Sequence, residues 1–179
     1  MKARRPEHAL FWDCLASPVG TLYFSTSETA LRALDFDRFA SRTRELLHLQ
    51  DGDPEPERRR ADPLGVRARL TAYFDGNLGA FDDLPIAMDG TPFQRCVWNQ
   101  LRTIEPGTTI SYGELAARIG SRNGARAVGL ANGSNPIAIV VPCHRVIGSS
   151  GKLVGYGGGM ARKAWLLRHE SRQLRLDSK

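Results

Sequence analysis

An α+β fold in two parts is predicted for this 179-residue chain: a small N-terminal antiparallel sheet with helices, then a mainly helical C-terminal domain containing a (winged) helix-turn-helix. Three observations predict it. The first 36 residues alternate apolar and polar positions in short runs broken by turn residues. The second half carries two capping-box helix starts and a glycine-containing turn between short helical segments. Charge is also segregated. Residues 1–90 hold 12 basic and 15 acidic side chains, whereas residues 91–179 hold 13 basic and 4 acidic, so the net +6 conceals balances of −3 and +9.

The N-terminal domain is expected over residues 1–76, with a linker at 77–90 and the second domain at 91–179. Short strands are expected at 9–15, 21–25 and 31–36, the first two joined by the turn Ser17-Pro18-Val19-Gly20. A helix is expected at 39–49. The polar, proline-broken stretch 50–63 reads as a mobile surface loop. Leu64, Val66, Leu70, Tyr73 and Phe74 recur at helical spacing before Gly76 and predict an amphipathic helix that packs on the sheet. Within the linker, residues 81–86 have a strand-like pattern.

Thr91-Pro92-Phe93-Gln94 combines an N-cap threonine, a proline at the first helical position and a capping-box glutamine, predicting a helix to about Thr103. Ser111-Tyr112-Gly113-Glu114 repeats the logic and starts a helix that ends at Gly120. The turn Ser121-Arg122-Asn123-Gly124 leads to a second short helix, rich in small side chains: Ala125, Ala127, Gly129, Ala131 and Gly133. Small residues serve close helix packing on one face and close approach to DNA on another.

Composition excludes several classes. No apolar run approaches the ~20 residues that span a bilayer, and the basic start lacks a following apolar signal region, so a soluble, cytoplasmic protein is expected. Cys14, Cys96 and Cys143 are too few and scattered for a disulfide framework, and no Cys-x-x-Cys pair points to zinc. Cys96 is expected in the core. The basic second half, mostly arginine, suits a polyanion such as nucleic acid.

The most informative stretch is Ile137-Ala138-Ile139-Val140-Val141-Pro142-Cys143-His144-Arg145. It reads as a buried strand running into a turn bent by Pro142, so that a thiol and an imidazole leave the core together. In an unbent strand the two side chains would point to opposite faces, and they cooperate only if the turn swings them together or a water bridges them. A free thiol, with a pKa near ~8.5, needs a base or fixed dipoles to become a thiolate at neutral pH. Taken alone, the pair also fits an inert buried cysteine beside a satisfied histidine.

Together with Asn135-Pro136, the glycine-dense stretch 146–159 and the helical stretch 160–170, this run resembles the signature of the O6-alkylguanine-DNA alkyltransferases, the methylated-DNA-protein-cysteine methyltransferases. The resemblance covers roughly residues 10–170 and is strongest from Thr91 onward. It implies direct-reversal DNA repair: stoichiometric, irreversible transfer of an alkyl group from O6-alkylguanine to Cys143 after the nucleotide flips out, with O4-alkylthymine left open as a second substrate. It assigns His144 as a base acting through water, Glu170 as its orienting carboxylate and Asn135 as a brace for the turn. By the same resemblance, Tyr112 would crowd the phosphate and donate a proton to the departing purine. Arg126 would enter the duplex as a finger, on a minor-groove helix where Ala125, Ala127 and Gly129 would permit close approach.

Val154, Tyr156, Gly157 and Gly158 would line the base pocket. Several relatives carry a hydroxyl where this chain has Gly157, so backbone donors would act there, and Arg145 would anchor the loop. No cofactor is implied, and no metal: some relatives hold a zinc, but the matching cysteine and histidine set is missing here. The implied partner is double-stranded DNA containing O6-alkylguanine, bound through the minor groove by a monomer, with cooperative assembly left open and no membrane involved. Two other classes fit parts of the pattern. A lesion-sensing DNA binder on the same fold commonly replaces the cysteine by tryptophan, whereas this chain keeps Cys143. A cysteine hydrolase would use Cys143 and His144 but leaves the basic helix-turn-helix without a task. A fused transcriptional activator would need a longer chain and a cysteine-rich module.

Overall fold

The computed structural model describes residues 10–36, 57–58, 62, 64–121 and 123–177. The chain divides into two compact units, residues 1–89 and 90–179. Residues 77–89, expected as a linker, lie with the first unit. The helix expected at 39–49 lies outside the described residues.

In the first unit, strands β1 (Phe11–Ser17), β2 (Gly20–Thr26), β3 (Leu31–Asp35) and β4 (Glu57–Arg58) form one sheet in the order β3-β2-β1-β4. The β1-β2 hairpin closes over Pro18 and Val19, with Ser17 opposite Gly20. The Ser17 hydroxyl donates to the Gly20 carbonyl at 2.6 Å and fixes the turn. β4 pairs with β1 in parallel, inside the stretch expected as a loop. Prolines break a central strand but are tolerated beside an edge strand, and Pro54 and Pro56 precede this one.

Helix α1 (Val66–Phe74) buries Val66, Leu70 and Tyr73, as its spacing predicts. Its start is capped by Asp62, whose carboxylate accepts the N–H groups of Val66 at 2.8 Å and Arg67 at 2.7 Å. Arg67 pairs with the buried Asp13 of β1. Beyond α1 the chain returns to the sheet: Leu31 and Ile86 form a parallel bridge, and Ala80 and Leu84 are buried.

The second unit begins with α2 (Pro92–Leu101), where the Thr91 hydroxyl accepts from Gln94 N and the Gln94 side chain returns to Thr91 N. Val97, Trp98 and Leu101 face inward, which turns Cys96 outward. Cys96 is exposed, contrary to the core position expected for it. Strand β5 (Ile110–Ser111) leads into α3 (Tyr112–Arg118), whose capping box joins Ser111 to Glu114. α3 ends in a Schellman arrangement: Ser121 N bonds Ala116 O, Gly120 N bonds Ala117 O, and Gly120 takes φ +74°, a conformation open to glycine.

Helix α4 (Ala125–Gly133) follows the turn and completes the helix-turn-helix. A Cβ on Gly124 would fall 2.0 Å from the Ser121 hydroxyl, so the tight turn requires glycine there. Trp98 Nε1 donates to Ala131 O at 2.7 Å and ties α2 to α4.

The run 137–141 is buried except at the half-buried Val140, but it is not a strand. It is a succession of turns in which Val140 N bonds Ala138 O and Val141 N bonds Ile137 O, with Ile139 held at φ +69°. The expectation fails for a physical reason: the backbone groups that a neighbouring strand would satisfy are taken up by these turn hydrogen bonds and by one side chain. Asn135 Oδ1 accepts from Ile137 N at 3.0 Å, and its Nδ2 faces the carbonyls of Val141 at 2.8 Å and Ile137 at 3.4 Å. A 3-10 turn (Cys143–Arg145), strand β6 (Val146–Ile147) and helix α5 (Met160–Asp177) complete the unit. No helix among the described residues is long and apolar enough to cross a membrane.

Candidate active site

β5 and β6 pair in parallel, Ile110 with Val146 and Ser111 with Ile147. This short sheet sets the position of the site. β6 leaves the Cys143-His144-Arg145 turn, and β5 enters the first helix of the helix-turn-helix at Tyr112, so pairing the strands brings the tyrosine to the cysteine. The thiol is buried, with Cys143 6% exposed. Asn135 Nδ2 donates to its Sγ at 3.1 Å, and Asn132 Nδ2 lies 3.5 Å from its carbonyl oxygen. An N–H donor at this distance favours the anionic form of sulfur. The same Asn135 amide that reaches the thiol also bonds the Val141 carbonyl at 2.8 Å, so one side chain ties the sulfur to the turn that precedes it.

Behind the cysteine lies a buried ionic cluster. His144 Nε2 and Glu170 Oε1 are 2.9 Å apart, Arg145 reaches the same carboxylate through Nη2 at 2.9 Å and Nε at 3.0 Å, and Gly107 N donates to Oε2 at 3.2 Å. Arg145 also donates to Ile104 O. Burial alone would raise the Glu170 pKa; the hydrogen bonds and charges of His144 and Arg145 overcome it and hold the carboxyl far below its ordinary range. Burial lowers the His144 pKa, against the pull of Glu170 and with help from the Arg145 and Lys163 charges. We take the pair as neutral imidazole and carboxylate, with Arg145 carrying the balancing charge. His144 then donates from Nε2, which leaves Nδ1 as an acceptor; Nδ1 is buried and has no hydrogen-bond partner among the described residues.

Tyr112 is half-buried, and burial followed by the Cys143 charge raises its pKa, with the Asn132 side chain pulling the other way. Its phenol is therefore protonated at neutral pH. The ring rests on α4 at Gly129, where an added Cβ would lie 3.8 Å away. Gly129 thus sits at the α3-α4 contact, while Ala125, Arg126 and Ala127 are exposed. In the glycine-rich segment Val154 and Gly157 are exposed and Tyr156 and Gly158 half-buried, with Arg162 Nη1 donating to Gly158 O at 3.1 Å.

Sequence reading missed one member of the site. Lys163 is fully buried, and its Nζ donates to the carbonyls of Val146 at 2.6 Å, Val154 at 2.8 Å and Gly155 at 3.2 Å. It clamps the segment after the cysteine turn to the glycine-rich loop. Burial lowers its pKa and the facing Cys143 charge raises it. The signal was present: Lys163 precedes Leu166 by three residues and Glu170 by seven, which puts it on the buried stripe of α5. Among the described residues no cluster of three or more histidine, cysteine or acidic side chains is arranged to hold a metal ion.

A thiol centre built onto a helix-turn-helix defines this unit as a DNA-binding domain that carries its own nucleophile. The chain belongs to the 6-O-methylguanine DNA methyltransferase family: its residues 92–172 match the DNA binding domain of that family and residues 10–88 its ribonuclease-like domain. It is 50% identical over 163 residues to the methylated-DNA–protein-cysteine methyltransferase of Shigella flexneri, covering 90% of this chain and 95% of the relative. With the protein of that name from Methanosarcina barkeri it shares 42% identity, over 93% of this chain and 100% of the relative. Among solved structures, that of Mycobacterium tuberculosis OGT in complex with DNA is similar at a TM-score of 0.79 and 43% identity, over 91% of this chain and 94% of that one.

Proposed function

We propose that this protein repairs DNA by moving an alkyl group from the O6 atom of guanine in duplex DNA to Cys143, once per molecule. The observation that carries the reading is Cys143 Sγ at 3.1 Å from the Asn135 amide, next to a histidine whose second nitrogen is fixed on Glu170. The His144 Nδ1 lone pair takes the thiol proton through a water, and Glu170 with Arg145 holds the ring for that transfer. The Cys143 thiolate attacks the alkyl carbon, a carbon–sulfur bond forms, and the bond from carbon to O6 breaks. The electron pair passes into the purine, which takes a proton from the Tyr112 hydroxyl. The products are guanine and an S-alkylcysteine. A thioether has no easy hydrolytic exit, so no second turnover follows.

The target carbon lies inside the base stack, so the nucleotide must leave the helix at a cost of a few kcal/mol. Arg126 fills the gap from the minor groove; its exposure on α4, with the small Ala125 and Ala127 exposed beside it, supports this role. Val154, Tyr156, Gly157 and Gly158 are the candidates for holding the extruded base, through main-chain donors at Gly157 where a side-chain hydroxyl is absent. Cys143→Ala tests the assignment: it is expected to abolish alkyl transfer while duplex DNA is still bound. Transfer at the normal rate in this variant overturns the role of Cys143.

A further inference from the structure

Helix α4 has one face that the chemistry above does not use in full. Val128, Ala131 and Asn132 point inward, and Arg126, Ala127, Leu130 and Gly133 form a continuous exposed stripe. Three of these are what a helix needs in order to lie close to DNA, one charge and two small residues. Leu130 is different. It is 72% exposed, whereas the next most exposed large apolar side chains among the described residues, Val154 and Met160, are at 40%. A single surface leucine needs no explanation by itself. This one stands four residues after Arg126, about 6 Å along the helix axis, on the stripe that is otherwise kept small.

We propose that Leu130 seats the protein on DNA, its isobutyl group packing against the deoxyribose wall of the minor groove beside the step that Arg126 enters. The inference rests on the reading that α4 is the DNA-facing helix, and it adds an affinity determinant of a different kind. The unit carrying α4 has a balance of +9 over residues 91–179, so its hold on phosphates is ionic and sequence-blind. The stripe itself holds no acidic side chain to repel the duplex. The groove is ~6 Å wide, and apolar side chains such as leucine are a known means of gripping it from the protein side. A leucine contributes by removing apolar surface from water and releases no counterions. Its contribution is therefore independent of salt, whereas that of Arg126 is not.

The test measures duplex affinity over a salt series by fluorescence anisotropy for the full chain, Leu130→Ala, Leu130→Met and Arg126→Ala, with thermal unfolding as a check on folding. Leu130→Ala is expected to bind about tenfold more weakly at every salt concentration, with the slope of log K against log salt unchanged. Tenfold is 1.4 kcal/mol, the value for burying about half of the three carbons removed. Leu130→Met retains the apolar bulk and is expected within about threefold of the parent. Arg126→Ala is expected to make the slope shallower by about one. Binding by Leu130→Ala within twofold of the parent throughout overturns the proposal. So does a loss confined to cooperativity with the single-site constant intact, because the leucine would then face a second copy. If Arg126→Ala also leaves affinity and slope unchanged, α4 is not the DNA face and both readings fall.

Discussion

Replacing Glu170 by glutamine keeps the shape of the side chain and removes one charge from a fully buried site. The carboxylate accepts hydrogen bonds from His144 Nε2, Arg145 Nη2 and Nε, and Gly107 N. A glutamine offers one oxygen and turns an NH2 group toward the Arg145 guanidinium or the Gly107 N–H, which cannot accept from it, or toward His144, which accepts only by changing tautomer. Arg145, only 7% exposed, is left as a buried cation without its counterion. Removing one partner of a buried pair costs about 3–5 kcal/mol. At about 2–4 °C per kcal/mol for a protein of this size, the melting temperature should fall by roughly 6–20 °C. Circular dichroism at neutral pH measures it. At a temperature where both proteins are folded, alkyl transfer should also be slower and its rise with pH displaced upward, because His144 is no longer held as a base. A melting temperature within about 2 °C of the parent would refute the structural argument, and an unmoved pH-rate profile would remove Glu170 from the mechanism.

Lys163→Met deletes the cation that faces Cys143 and frees the carbonyls of Val146, Val154 and Gly155. The pH-rate profile should shift upward and hydrogen exchange around residues 154–155 should accelerate; if neither changes, the clamp has no part in the site. Acid should destabilise the fold in two stages of the same sign. The His144 pKa is lower in the folded protein than its ordinary value, so its contribution is complete above about pH 6.5 and is lost as pH falls below that, by at most about 1.4 kcal/mol per pH unit. The Glu170 pKa is also lowered, so its contribution is lost below about pH 4.5. A melting temperature that stays flat from pH 7 to 5 would contradict the buried neutral histidine. Arg126→Ala should slow repair of duplex DNA much more than reaction with the free base O6-benzylguanine, which needs no extrusion. Equal loss of both, with folding intact, refutes the finger role.

What could be read in the sequence was local. The Thr91-Gln94 and Ser111-Glu114 capping boxes and the inward residues of α1 depend on contacts three or four residues apart, and the structure has them. Cys143, His144, Asn135 and Glu170 could be singled out from motif and spacing, and the fold brings them together through one asparagine amide and one carboxylate. What could not be read depends on distant partners. Periodicity cannot separate a buried apolar strand from buried turns, and the choice at 137–141 is made by turn hydrogen bonds within the run together with the Asn135 side chain. β4 follows a proline-rich run that looks like loop until β1 offers it an edge. Lys163 stands at the spacing of the buried stripe of α5, but the partners that let a lysine be buried there, the carbonyls of Val146 in β6 and of Val154 and Gly155, are distant in sequence. Cys96 has helix spacing on both sides, and only the packing of Val97 and Trp98 shows which way it points.

The central claim is that Cys143 accepts the alkyl group and keeps it. Mass spectrometry of peptides after mixing the protein with a duplex carrying one O6-methylguanine tests this directly. One CH2 equivalent added to the peptide containing Cys143, at one per protein molecule and with guanine restored in the DNA, is the predicted result. An unmodified Cys143 peptide with the lesion repaired, or the methyl group on Cys14 or Cys96, would contradict it.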